Sequence, residues 1–226
     1  MPDPTPERPA PTGLSSGWAD AVTGMARIGR YAVAHGLVVA SGGNLSVRGD
    51  GAPGRPRDRF VVTGRGTFLD ALDDASFAEL DLDGTGYAGP EPSSEWRLHA
   101  RTYAKRPDVG AIVHLHPAYS VLLDAIGKRL RLLTLDHVAY VREPTRIPFL
   151  PNGSEELAQA AAAAALGSDC VLLAHHGCSA LGASLDAAFR VAVNLESAAE
   201  ATYRLLLLGD ETTEFPRPLR GSALHR

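Results

Sequence analysis

GAIVHLHPAYS, from Gly110 to Ser120, ends an apolar run with two histidines two residues apart. In a strand, residues i and i+2 point to the same face, so His114 and His116 project both imidazoles into one space. That is the geometry of a shared metal ion, provided a third ligand exists. A lone His-x-His is more commonly a pair of packed or surface histidines, so the pattern needs support from elsewhere in the chain.

The chain around this strand alternates loosely between helix and strand signals. WADAVTGMARIGRYAVAHG sets Trp18, Val22, Met25, Ile28 and Ala32 three and four apart, predicting an amphipathic helix ended by Gly36. LVVASGGNLSVRG reads as strand, glycine turn and strand, and RFVVTGRG as a strand entering a loop. DDASFAELDLDGTGYAGPEPSSE reads as acidic loop. SSEWRLHARTYAKRPD predicts a helix capped by Ser93 or Ser94, with Trp96, Leu98, His99 and Tyr103 on its periodic face. A further helix runs from Ala118 to about Gly127, and LRLLTLDHVAYV looks strand-like. SEELAQAAAAAALG predicts a helix with Ser154 as N-cap and Gly167 as terminator. DCVLLAHHG is an apolar strand, and SLDAAFRVAVNLESAAEATYRLLLLG a long closing helix. These signals describe one α/β domain over 14–210, with a proline-rich disordered leader over 1–13 and a tail over 211–226.

With 226 residues, 45% hydrophobic and 21% charged, the chain can fill a substantial core. No run of about 18 apolar residues predicts a membrane span, and the N-terminus lacks a secretory pattern. The net charge is −4 with no basic block, so no nucleic-acid groove is expected. Cys170 and Cys178 lack CxxC spacing and read as reduced thiols of a cytoplasmic protein.

Several short motifs carry possible chemistry. LLAHHG delivers His175 and His176 into a tight turn at Gly177, offering a third imidazole. Three protein nitrogens with an open fourth position suit catalytic rather than structural Zn²⁺. Glu95 opens the helix before the HLH strand, where a carboxylate is also comfortable simply as a first-turn residue. SGGN (Ser41–Asn44), TGRG (Thr63–Gly66) and PSSE (Pro92–Glu95) offer hydroxyls and backbone N–H groups of the kind that bind phosphate, though each alone is an ordinary turn. Arg65, Arg97 and Arg101 lie near these turns and read as solvated surface.

The order of these pieces is more specific than any one of them. SGGNLSVR, TGRG, PSSEWRLH, VHLHP and HHG in succession resemble the class II aldolase/adducin family, and within it the L-fuculose-1-phosphate aldolase type, from about Trp18 to Gly209. The resemblance implies a three-layer α/β/α sandwich around a central, mainly antiparallel sheet. It also implies a fourfold cyclic homotetramer with sites between subunits. It assigns His114, His116 and His176 to Zn²⁺ (or Mn²⁺ or Co²⁺), with His175 a neighbour rather than a ligand. Glu95 matches the acid/base carboxylate. Ser41, Gly43, Asn44, Thr63, Gly64, Ser93 and Ser94 match the turns enclosing a substrate phosphate.

The implied activity is cleavage of a short ketose 1-phosphate to dihydroxyacetone phosphate and a small aldehyde through a zinc-bound enediolate. Pentulose-phosphate 4-epimerases and sugar-acid phosphate decarboxylases of the same family are the alternatives. The epimerases typically carry aspartate at the position of Glu95, and the decarboxylases tend to place a lysine in a motif that here reads PSSEWRLH. An adducin-like binding module would have lost the histidines. Fuculose-type enzymes handle the C4 hydroxyl proton with a tyrosine from a neighbouring subunit, and use another from a mobile tail. The corresponding region here, LRLLTLDHVAYVREP, offers His137 and Tyr140 as nearby candidates, and the tail FPRPLRGSALHR contains no tyrosine.

Overall fold

A computed structural model describes residues 13–14 and 16–223, so the expected leader lies, apart from Gly13, outside the described residues. In chain order the elements are α1 (Ala19–Ala34), β1 (Asn44–Arg48), β2 (Arg59–Thr63), β3 (Phe77–Asp81), β4 (Gly86–Ala88), α2 (Trp96–Lys105), β5 (Ala111–Leu115), α3 (Ala118–Ala125), β6 (Thr145–Ile147), α4 (Glu155–Ala164), β7 (Cys170–Leu173), β8 (Gly177–Gly182) and α5 (Leu185–Leu207). The strands form one sheet in the order β4-β3-β2-β1-β5-β8-β7-β6. Every pairing is antiparallel except β6 with β7.

Side-chain alternation divides this sheet into two faces. Leu45, Val61, Val113, Leu115, Cys178 and Ala180 join Met25 and Ile28 of α1 and Val191 and Leu195 of α5 in one apolar cluster. Phe60, Val62, Ile112 and Leu181 pack on the other face against Leu98 and Tyr103 of α2 and Leu157 and Ala161 of α4. The result is the expected three-layer α/β/α sandwich. β5 is buried at all five positions because both of its faces are covered.

Helix predictions agree with the structure where caps and periodicity coincide. α1 buries Val22, Met25, Ile28 and Ala32, and the chain reverses at Gly36 (φ +68°). Ser154 caps α4 by accepting the Leu157 amide at 3.1 Å. The other expected cap differs: Glu95 itself takes the N-cap position of α2, while Ser93 Oγ accepts the Glu95 amide at 3.3 Å.

Several strand assignments are corrected. Leu37–Val39 is not a strand; its backbone meets β5's extension through one bond, His116 N–H to Leu37 O at 3.1 Å, before a turn at Ala40. The acidic stretch read as loop contains β3 and β4. Within β3, Glu79 is tolerated at 2% exposure beside Arg59, 3.2 Å away on β2. β8, GCSALG, carries no strand signal in the sequence because its small residues lack a β-rich signature. The strand-like LRLLTLDHVAYV instead forms a π-helical turn at His137–Val141, with Val138 and Val141 buried three apart.

Candidate metal centre and adjoining cleft

β1, β5, α2 and the β7–β8 turn meet at one end of the sheet. On β5, His114 shares the α2-facing side with Ile112 and is fully buried, and His116 follows just beyond the strand. Glu95, 4% exposed, stands at the head of α2. β7 ends at Leu173 and the chain turns through His175, whose φ of +55° is unusual for a residue with a side chain. Three bonds hold that turn: Ala174 N–H to Ile147 O at 3.2 Å, His176 N–H to Leu173 O at 3.0 Å, and His175 N–H to Asp124 Oδ2 at 3.4 Å. His175 is left exposed, and His176 is aimed inward.

The four side chains Glu95, His114, His116 and His176 place one donor atom each within 4.8 Å of one another. Glu95 Oε2 lies 2.9 Å from His114 Nε2, Glu95 Oε1 lies 3.4 Å from His176 Nε2, and the Nε2 atoms of His114 and His116 are 3.1 Å apart. Metal–nitrogen bonds of about 2.0–2.1 Å in a tetrahedron require ligand separations of roughly 3.3 Å. Glu95 Oε1 is also buried without a hydrogen-bond donor, a costly state that a cation among these donors would relieve. The set therefore fits a divalent metal: three imidazoles suit Zn²⁺, and the carboxylate widens the choice to Mn²⁺ or Co²⁺.

The electrostatics keep His116, His176 and Glu95 in ligating form. Burial lowers the pKa of His116 to about 3 and of His176 to about 4, with repulsion from neighbouring imidazoles adding to it, so both are neutral at pH 7. Burial alone would raise the Glu95 pKa; the adjacent His114, then His176 and the Asn44 donor, instead hold it well below the usual carboxylate range.

Beside this cluster lies a cleft of about 100 Å³ lined by Ser41, Gly42, Gly43, Asn44, Gly64, Arg65, Gly66, Ser93, Ser94, Glu95, His116 and Asn152. All three turns singled out in the sequence thus meet at one opening. The paired glycines of SGGN have a steric reason. A Cβ on Gly42 would stand 3.0 Å from His116 Nδ1, and Gly43 (φ +71°) would push one to 2.7 Å from His114 O. Thr63 sits behind the cleft rather than in its wall, fully buried, with its hydroxyl accepting the Leu45 amide at 3.3 Å. Arg65 does reach the rim, where it pairs with Glu91 at 2.9 Å. Asn152 is an addition that sequence reading missed. It stands in the PNG turn before α4, where Gly153 approaches Ser94 so closely that a Cβ would lie 2.7 Å from its carbonyl oxygen.

His137 and Tyr140 are engaged within their own chain. The Leu133 amide donates to His137 Nδ1 at 3.2 Å, and Nε2 faces Ser197 of α5 at 3.3 Å. The Tyr140 ring lies under Arg190.

Fold and cluster together describe an α/β/α domain with a His/Glu cluster that could hold a metal ion. Residues 23–203 match the Class II Aldolase and Adducin N-terminal domain, and the chain belongs to that family. It is 34% identical over 195 residues to a 5-methylthioribulose-1-phosphate/5-deoxyribulose-1-phosphate aldolase of Rhodospirillum rubrum, covering 80% of this chain and 85% of the relative. A 3-oxo-tetronate 4-phosphate decarboxylase of Haemophilus influenzae is 32% identical over 186 residues, covering 80% and 86%. Among solved structures, an L-fuculose 1-phosphate aldolase superimposes with a TM-score of 0.82 at 26% identity, over 93% of this chain and 96% of that one. The aldolases among these relatives support a lyase.

Proposed function

We propose that the protein is a metal-dependent aldolase that cleaves a short ketose 1-phosphate to dihydroxyacetone phosphate and a small aldehyde. The observation that carries this reading is the placement of a buried carboxylate within hydrogen-bond distance of a three-histidine cluster, at the edge of a cleft walled by three small-residue turns. Five-carbon ketose 1-phosphates of the kind named for the Rhodospirillum rubrum relative are the first substrates to try. A bound Zn²⁺ or similar ion, held by His114, His116 and His176, would supply Lewis-acid stabilisation of negative charge on the substrate oxygens.

The chain's own groups account for binding and for one proton. The backbone N–H groups and hydroxyls of Ser41–Asn44, Gly64, Ser93 and Ser94 hold the phosphate end and fix the reacting carbons beside Glu95. Cleavage breaks the C3–C4 bond as the C4 hydroxyl gives its proton to solvent water. The bonding pair passes into the C2–C3 enediolate, and C4 leaves as an aldehyde. Glu95, a carboxylate at rest, takes up one proton from solvent and delivers it to C3, completing dihydroxyacetone phosphate with no net change in protons; in synthesis it removes that proton. We further propose a homotetramer with sites between subunits. Two free, buried thiols fit a reducing cytoplasm.

The test needs no knowledge of the aldehyde. Metal-loaded protein incubated with dihydroxyacetone phosphate in deuterated water should exchange one C3 proton stereospecifically by NMR, and chelation should abolish the exchange. Absence of exchange with metal bound and the oligomer intact would overturn the reading. Release of CO₂ from a 3-oxo acid phosphate would then favour the decarboxylase alternative, and conversion to a ketose phosphate with an unbroken chain the epimerase.

A further inference from the structure

From Glu95 Oε2, the oxygen that also faces His114, runs a chain of buried polar groups in which His99, Ser46 and Tyr103 have no part in the proposed chemistry. Asn44 Nδ2 donates to Glu95 Oε2 at 3.0 Å. Asn44 Oδ1 meets His99 Nε2, His99 Nδ1 meets Ser46 Oγ at 2.6 Å, and Ser46 Oγ meets the Tyr103 hydroxyl at 2.6 Å. Asn44 is 3% exposed and Ser46, His99 and Tyr103 are fully buried.

The donors and acceptors leave one consistent direction. An ionised carboxylate only accepts, so the Asn44 nitrogen faces Glu95 and its oxygen faces His99. His99 Nε2 must then carry a proton. Burial pushes the His99 pKa down to about 3, so the ring is neutral and its Nδ1 is an acceptor. Ser46 fills that acceptor with its O–H, and Tyr103 donates to Ser46. Every bond therefore donates toward Glu95. The far end is closed: Tyr103 has no exposure, and burial raises its pKa beyond the ordinary phenol range. A wire ending in a buried phenol conducts no proton to solvent.

We propose that His99, Ser46 and Tyr103 are positioning residues that hold the Asn44 amide with its nitrogen toward Glu95, pinning Oε2 and with it the orientation of the carboxylate. This rests on the acid/base role of Glu95 set out above. The chain fixes the amide from the side opposite the carboxylate, so its orientation does not depend on Glu95 alone. Aliphatic side chains would fill this core more cheaply than a polar chain whose members must all be satisfied.

The decisive comparison is His99→Leu against His99→Gln, with Ser46→Ala as a milder break further along. His99→Leu removes the donor to Asn44 and should lower kcat by about 10–100-fold, the usual cost of losing an outer-shell partner, with KM within about twofold. His99→Gln retains an N–H near the Nε2 position and should recover most of that loss. ¹⁵N NMR of the parent protein should show His99 protonated at Nε2 and not at Nδ1. The Asn44 side-chain amide protons should exchange slowly in the parent and faster in Ser46→Ala. An Nδ1-protonated ring, equal impairment by Leu and Gln, or unchanged kcat in His99→Leu would overturn the proposal. The NMR readouts require no turnover. A parent with the expected tautomer and slow amide but no lyase or exchange activity would sink the functional reading while leaving the amide-holding chain standing.

Discussion

β1 and β5 lie side by side, with Asn44 opposite His114 and Ser46 opposite Ile112, and their two faces meet very different surroundings. Toward α1 and α5 they present Leu45, Val113 and Leu115, fully buried among aliphatic side chains. Toward α2 the same strands present Asn44, Ser46 and His114, which join Glu95, His99 and Tyr103 in a buried polar seam. One pleat therefore separates a face that contributes stability through area removed from water from a face where orientation is the return. Residues adjacent in sequence should for that reason behave oppositely on mutation.

The largest effect is expected at Glu95. Glu95→Gln keeps the volume and removes the acid/base group, and should lower turnover by about 10²–10⁴-fold, read by steady-state kinetics on protein whose metal content is measured in parallel. Its urea midpoint should stay near the parent's; a large loss of stability would blur the distinction between the faces. Leu195→Ala, on the dry side, should show the reverse pattern. It should cost about 2–5 kcal/mol in denaturant unfolding, while the kcat of the remaining folded protein is unchanged. A fall in kcat there would mean that the faces are coupled.

A third prediction concerns acid. The folded-state pKa of His99, about 3, lies below its ordinary 6.5 because of burial. The unfolded chain therefore binds more protons between these values, so the contribution is full above pH 6.5 and lost as pH falls toward about 3. Urea titrations of metal-free protein across that window should show stability falling with pH, and His99→Gln should flatten the slope. An unaltered slope would assign the acid sensitivity to other groups. The smallest effect belongs to the exposed Arg65–Glu91 pair at the cleft rim. Arg65→Ala should change stability by less than about 1 kcal/mol, and a larger shift would move that arginine from the solvated surface into the architecture.

Legibility from sequence followed the same division. α1, α4, α5 and the HLH strand were readable because caps, 3.6-residue periodicity and i, i+2 alternation are local. β3 and β8 were not, because what makes each a strand lies in its partners. Glu79 needs Arg59 across the sheet, and the small residues of GCSALG gain their pattern only between β5 and β7. Among the site residues, the separation of His176 from His175 came through family resemblance, and the structure supplies the reason in the left-handed turn at His175. In the sequence His99 is one position on a helix's periodic face. Its tie to Asn44 depends on how α2 lies over β1, which no local pattern encodes. Asn152 lacked any signal beyond a common turn.

The wide spacing of the contributors has a kinetic side. Asn44 and His114 become neighbours only when β1 and β5 pair, and His176 arrives only when β8 docks on β5. Pairings between such distant segments carry loop-closure entropy and are slow steps for a folding chain. An unfolded or half-folded molecule thus holds just the local piece, His114 and His116 two residues apart, without carboxylate, third imidazole or cleft. The finished constellation appears only when the central strands are in register, so occupancy of the cluster would report completed folding and resist its reversal by mass action.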